Sequence, residues 1–280
     1  MGGLLRQGCR VHRLGIGVPI DFTAAVGSAR KLVLGICLLL GACRAAPLRV
    51  MTLNLAHGRG TAAHQSRLNK DEFEGNLEAV ARMLRRERPD IVALQEADGS
   101  SSWSGRFDHV QRLAERAGYA HRFRGRHVDT PELSYGTALL STQLLESPVS
   151  HRFAPSLPTP LKGFVVATVG DIDVVSVHLD FLREGVRRRQ VEEMVAVLKD
   201  RERPLILLGD FNLEWGDTLR HLTDALDLHA YAPDATDLAS LGDRRIDWIL
   251  LSRRLELVRY AVVPDALSDH LAVVADVCAR

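Results

Sequence analysis

Apolar positions in this 280-residue chain fall into two rhythms. Residues 48–53 read as a first strand. Phe73, Leu77, Val80 and Leu84 share one helical face, which predicts a helix over 72–87 ended before Pro89. Residues 91–94 are a short buried strand. Phe107, Val110, Leu113 and Ala117 line a second helix, stopped by Gly118. Strands follow at 136–141, 163–169 and 172–177. A third helix runs through Val186, Gln190 and Met194 to Leu198. Then come a buried strand at 204–208, a short helix near 217–226, and strands at 245–251, 255–263 and 271–277. The Pro-rich stretch 155–160 is a loop, because the strands around it belong to one sheet system. Helices alternate with strands early and strands cluster late. That order excludes a TIM barrel or a Rossmann fold and predicts two packed sheets with helices outside. No internal repeat, low-complexity tract or coiled-coil heptad is visible, so the expected state is a monomer.

The first 46 residues differ from the rest. Arg30 and Lys31 precede the apolar run 32–40, which is too short to span a bilayer and reads as a signal-peptide core. It ends in Leu40-Gly41-Ala42-Cys43, which resembles a bacterial lipobox. That resemblance implies acylation of Cys43 and a lipoprotein on the periplasmic face of a membrane. The alternative is an ordinary signal cleaved near Ala45-Ala46, which would release a secreted protein. Residues 1–25 are long for a signal's leading region, which suggests that translation starts nearer Val26. The expected organisation is a leader with a short linker at 1–46 and a catalytic domain at 47–280. Residues 1–42 carry five basic residues against one acid, so removing them turns a net charge of +1 into −3. Such a domain needs local basic residues or a metal to hold a polyanion. The four cysteines are Cys9, Cys37, Cys43 and Cys278. With Cys43 acylated and the leader removed, Cys278 is expected to be a lone thiol in a chain without disulfides.

Five polar clusters sit at the ends of apolar strands, where such scaffolds present their sites. Asn54 follows the first strand and is either a metal or phosphate contact or a turn former. Glu96 ends the second, and a carboxylate there is costly unless it meets a cation. His178 leaves a strongly apolar strand, either as a satisfied core imidazole or as a protonated donor to phosphate. Asp210 and Asn212 follow Leu205-Ile206-Leu207-Leu208-Gly209 and share a side if the chain stays extended. The other reading is an Asx turn. Asp247 and the adjacent pair Asp269-His270 supply carboxylates and an imidazole, and Asp247 could fix the His270 tautomer.

In this order, the clusters resemble the endonuclease/exonuclease/phosphatase superfamily over nearly all of 48–277. The motifs are Thr52-Leu53-Asn54-Leu55, Leu94-Gln95-Glu96, Tyr135-Gly136-Thr137-Ala138-Leu139-Leu140-Ser141, Ser176-Val177-His178-Leu179, Gly209-Asp210-Phe211-Asn212, Arg245-Ile246-Asp247-Trp248 and Ser268-Asp269-His270. Arg187 and Gln190 match the family's Arg-x-x-Gln. The resemblance implies an α/β (α+β) four-layer DNase I-like sandwich, two packed mixed β-sheets flanked by helices. It implies a magnesium-dependent phosphodiester hydrolase, with manganese or calcium as alternative ions. Glu96, Asn54 and Asp269 would hold the metal, and His178 would bind the scissile phosphate. Asp210 would orient or deprotonate the water, Asn212 would stabilise the transition state, and Asp247 would orient His270. Whether Asp210 or His270 is the base stays open. No Ser or Cys nucleophile motif appears, so water attacks directly. The expected substrate is nucleic acid, with phospholipid or sphingolipid headgroups and small phosphoesters as alternatives. The basic segment 121–127 could flank the cleft, which makes Arg122 and Arg124, with Tyr135, candidate substrate contacts. A catalytically dead binding module would have lost a motif carboxylate, Asn or His, and none is missing.

The leader makes one prediction. The exported protein is expected to begin at an acylated Cys43. Mass spectrometry of the mature terminus checks this, and a free terminus at Ala45 or beyond overturns it.

Overall fold

The computed structural model describes residues 46–130 and 132–280. The signal-peptide, lipobox and Cys43 expectations lie outside them. Among these described residues, thirteen strands and four α-helices follow one another within one compact unit. In chain order these are β1 Leu48–Asn54, α1 Lys70–Glu87, β2 Ile91–Asp98, α2 His109–Ala117, β3 His121–Arg124, β4 Val128–Asp129, β5 Ser134–Ser141, β6 Glu146–Arg152, β7 Gly163–Val169, β8 Ile172–His178, α3 Glu184–Leu198, β9 Leu205–Asp210, α4 Asp217–Ala225, β10 Leu228–Ala230, β11 Asp247–Ser252, β12 Leu255–Val262 and β13 Val273–Ala279. One sheet has the order β12-β13-β1-β2-β5-β3, with β4 pairing to β5. The other has the order β10-β11-β9-β8-β7-β6. Both are mixed, because β1 runs parallel to β2 and β8 runs parallel to β9.

The central strands read as continuous apolar runs because both of their faces are buried. Their residues alternate between two cores. Val50, Ile91, Ala93, Val174, Ile206, Leu208 and Ile249 fill the layer between the sheets. Met51, Leu53, Val92 and Leu94 face α1 and α2 through Phe73, Leu77 and Leu113. Val175, Val177, Leu207 and Leu250 face α3 and α4 through Val191, Met194 and Leu219. The result is the expected four-layer sandwich.

The expected helices and central strands are present with shifted ends. β2 runs on to Asp98 because a bulge between Leu94 and Ala97 carries it past Glu96. β6 and β10 were not expected from the sequence. β6 has no apolar alternation because it is an exposed edge strand, and it carries Pro148, which only an edge tolerates. Cys278 is disulfide-bonded, which corrects the expectation of a lone thiol. Among the described residues, no helix is long and apolar enough to cross a membrane.

Gly209 sets how closely β9 can approach β8. Its φ is 148°, and a Cβ there would lie 2.1 Å from the Val177 carbonyl oxygen. Gly209→Ala is expected to cost on the order of 2–4 kcal/mol, read as a lower urea midpoint with an unchanged slope.

Candidate active site

The inter-sheet layer becomes polar at one end, and the strand parity says which side chains enter it. Val50, Thr52 and Asn54 lie on one face of β1, and Ile206, Leu208 and Asp210 lie on one face of β9. Val174, Ser176 and His178 do the same on β8. Thr52 donates to Gln95 (3.2 Å) and Gln95 donates to Ser176 (3.1 Å), so a hydrogen-bonded layer joins the two sheets beneath the site. Above it, Asp210 is the hub. Strand register sets it beside His178 on one side and Asp247 on the other. Its Oδ2 accepts from the Asn54 amide (2.9 Å) and its Oδ1 from the Asn212 backbone N–H (2.9 Å). His178 Nε2 lies 3.4 Å from Oδ2 and His270 Nε2 lies 3.9 Å from it. His270 Nδ1 is bonded to Asp247 Oδ2 at 2.8 Å, the orienting contact expected from the sequence.

Glu96 enters the cleft by a different route. Simple alternation after Gln95 would turn it toward α1 and α2. The bulge gives it a left-handed backbone with φ 46°, and its carboxylate then meets groups from both sheets. Oε2 lies 3.3 Å from His57 Nε2, and Oε1 lies 3.8 Å from Lys162 Nζ. His57 is fixed from behind, because its Nδ1 is bonded to Asp98 Oδ1 at 2.7 Å. Asp98 also accepts from Trp103 Nε1 (2.9 Å) and Ser104 Oγ (2.5 Å). The site therefore holds two aspartate–histidine pairs, one aimed at Asp210 and one at Glu96.

Burial and charge sort the titratable groups. Burial, reinforced by the neighbouring Asp247, pushes the Asp210 carboxyl up to about 7. Burial opposes charge on His270, but Asp247 overcomes it and raises the imidazole to about 10. His178 goes the other way. Burial and the adjacent Lys162 ammonium push it well below its ordinary value, so it is neutral. Burial also lowers Lys162, against the pull of Glu96 and Asp210. For His57, Glu96 and Asp98 outweigh burial and raise the imidazole.

These placements correct several expectations. Lys162 Nζ lies 3.1 Å from His178 Nε2, and with burial and this neighbour holding the imidazole neutral, His178 is not the protonated donor. Asn54 offers its amide to Asp210, and its carbonyl oxygen accepts from the Ala56 N–H (2.9 Å). Asp269 is held by Arg59 and Ser268, at the edge of the site. Among the described residues, the carboxylates and imidazoles close enough to share one ion are Asp210, Asp247 and His270. The chain after β9 does not stay extended. Asn212 is left-handed (φ 51°), its amide donates to the Leu179 carbonyl (3.1 Å), and its N–H closes an Asx turn onto Asp210. The Asx-turn reading of this motif therefore holds, and the extended one does not. Tyr135 is buried against His57 and Trp103, supporting the site from behind. Arg124 is spent on Ser134 (3.2 Å). Arg122 pairs across β5 with Leu140, which pairs with Val92, so it sits toward the end of the sheet away from Glu96. Arg187 and Gln190 brace the loop after His178 by bonding the backbone of Asp180.

Lys162, His57, Asp98 and Arg59 were not read from the sequence. A signal for Lys162 existed. Counting back equally from the turn at Gly170 and Asp171 sets Gly163 opposite His178, with Lys162 beside it. No such count finds His57 or Asp98.

The model of the Endonuclease/Exonuclease/phosphatase family matches residues 51–270, and the chain belongs to that family. No curated protein sequence matches it significantly. A family member from Beutenbergia cavernae DSM 12333 is similar in structure, with a TM-score of 0.65 at 24% identity, over 84% of this chain and 72% of that one. The human Nocturnin catalytic domain with bound sulfate gives 0.62 at 22% identity, over 84% and 94%. A mannosyl-6-phosphatase from Bacteroides thetaiotaomicron VPI-5482 gives 0.60 at 17% identity, over 82% and 99%. At these identities, the likeness is one of fold.

The Asp247–His270 pair can be tested directly. Asp247→Asn removes the charge that raises the imidazole, so the His270 titration followed by NMR is expected to move from about 10 toward the ordinary 6.5.

Proposed function

We propose that the protein is a metal-assisted phosphodiester hydrolase in which water attacks phosphorus directly. The observation that carries this reading is Asp210. It is a buried carboxylate held on both oxygens, with a pKa raised to about 7 and an imidazolium 3.9 Å away. Such a group can take a proton from water near neutral pH. With His270 charged up to about 10, Asp210 is the base and His270 is the electrostatic partner. A water oxygen adds to phosphorus as Asp210 accepts the water's proton, the bond from phosphorus to the ester oxygen breaks, and that oxygen leaves as the alcohol after taking a proton from solvent. The positive charges of His270 and Lys162 offset the charge that gathers on the phosphoryl oxygens.

The donor set fits a divalent cation. Among the described residues, no hydrogen bond donates to the Glu96 carboxylate, which is balanced only by ion pairs at 3.3 and 3.8 Å. Asp247 Oδ1 is buried without a partner. A hard cation that takes one carboxylate plus water and phosphate suits Glu96. The Asp210, Asp247 and His270 group suits it less, because both Asp210 oxygens are hydrogen-bonded and His270 Nδ1 is bonded to Asp247 Oδ2, so of the carboxylate oxygens there Asp247 Oδ1 is the one left open. Bound at Glu96, magnesium would neutralise charge on the phosphate.

The test is hydrolysis of bis(p-nitrophenyl) phosphate with magnesium. Activity is expected to vanish with EDTA and to fall by about 10²-fold or more in Asp210→Asn. The pH profile follows from the signs of the two shifts. Asp210 must be unprotonated, so kcat/KM rises with pH through about 7. His270 must stay charged, so kcat/KM falls again as pH passes about 10. A profile that is flat between pH 6 and 8, or full activity in Asp210→Asn, would overturn the assignment.

A further inference from the structure

Two loops at the mouth of the cleft carry exposed apolar side chains that no feature of the hydrolytic site uses. One is the loop between β6 and β7, with Leu157 at its tip, 84% exposed. The other follows β8, with Phe181 and Leu182 at 56% and 55%. The Phe181 ring centre lies 5.6 Å from Lys162 Nζ, so the apolar edge begins one side chain from that ammonium. Among the described residues, the other exposed large apolar side chains are Leu144 and Tyr231 in loops, Val149 on β6, Val197 on α3 and Val258 on β12.

These loops are built, because buried polar groups tie them together. Asp180 is fully buried, and its Oδ1 accepts from the backbone N–H groups of Leu182 (2.9 Å) and Arg183 (2.8 Å). Its Oδ2 accepts from Ser156 Oγ (3.3 Å), which belongs to the opposite loop. Arg183 crosses the same gap to the Ser156 carbonyl and to Thr159 Oγ1. This frame holds Leu157, Phe181 and Leu182 pointing into solvent, where each loses hydrophobic free energy unless something covers it.

The surrounding charge says what would cover them. Arg152 ends β6, and Arg188 and Arg189 lie in the first two turns of α3, which starts just after Leu182. All three are exposed and take no part in the ion pairs made by their neighbours His151, Arg183 and Glu192. Glu184 and Glu192 are the exposed acids along this stretch of α3, and Glu192 is paired with His221. A protein face that joins a small apolar tip to unpaired arginines matches the boundary between acyl chains and anionic headgroups. A nucleic acid would use the arginines but would leave the two leucines exposed to water.

We propose that this lip docks the cleft onto an anionic phospholipid surface, which brings headgroup phosphodiesters to the Lys162 side of the site. The proposal rests on the hydrolase reading for its substrate but not for its docking. It names the substrate class as diesters held in a bilayer.

The test is hydrogen exchange of the full chain with vesicles, because it reads the lip separately from any binding by the N-terminal segment. Vesicles of phosphatidylcholine with phosphatidylserine are expected to slow exchange at 154–160 and 180–183, and phosphatidylcholine alone to do so less. Leu157→Ser combined with Leu182→Ser is expected to lose this protection while hydrolysing bis(p-nitrophenyl) phosphate within about twofold of the parent, since neither residue touches the site. Unchanged exchange at both loops on vesicle-bound protein overturns the proposal. So does protection by single-stranded DNA but not by vesicles. Hydrolysis of the soluble diester without lip protection removes the docking and leaves the hydrolase reading. Lip protection without hydrolysis of any diester does the reverse.

Discussion

Everything at the site depends on the two sheets being packed face to face and covered on their outer faces. In that arrangement, every second residue of a central strand must enter the inter-sheet layer. The layer is apolar through Val50, Ile206 and Ile249, and it turns polar where the strands end. The same parity that buries Leu208 aims Asp210 inward, and the parity that buries Val174 aims His178. The site is therefore a continuation of the core, and its carboxylates inherit the core's low polarity. Desolvation is the largest influence on Asp210, His178, Lys162 and His270 alike.

Shared burial produces different outcomes because each group has different neighbours. Asp210 faces Asp247 and is pushed up to about 7, while His270 faces the same Asp247 and stays charged. His178 touches an ammonium and becomes neutral. One acid, Asp247, thus raises the proton affinities of both Asp210 and His270, with burial adding to it in the first and opposing it in the second. The second pair, Asp98 and His57, shows the same construction on the Glu96 side, stiffened by Trp103 and Ser104.

The backbone departs from regular geometry where the site needs it. Glu96 would face the helices without its bulge, and the left-handed turn at Asn212 brings its backbone N–H onto Asp210. Gly209 lets β9 lie against Val177 closely enough for Asp210 to sit beside His178. Glu96 and Asn212, both left-handed without being glycine, store local strain that the surrounding sheet holds in place.

The sequence by itself determined the layers and the motif residues. Runs buried on both faces, helical spacing in 72–87 and polar residues at strand ends are properties of short segments, and short segments can be read from one chain. Asn54, Glu96, His178, Asp210, Asp247 and His270 were legible for that reason. The tertiary structure decided which of them touch, and with what charge. Lys162 reaches His178 through hairpin register, His57 reaches Glu96 through a loop and a bulge, and Arg59 reaches Asp269 across 210 positions of sequence. It also moved Arg122 out of the site, because sheet register set that strand toward the other end. Contacts of this kind depend on register, burial and local backbone conformation. None of these is a property of a residue and its near neighbours, so only the folded chain fixes them.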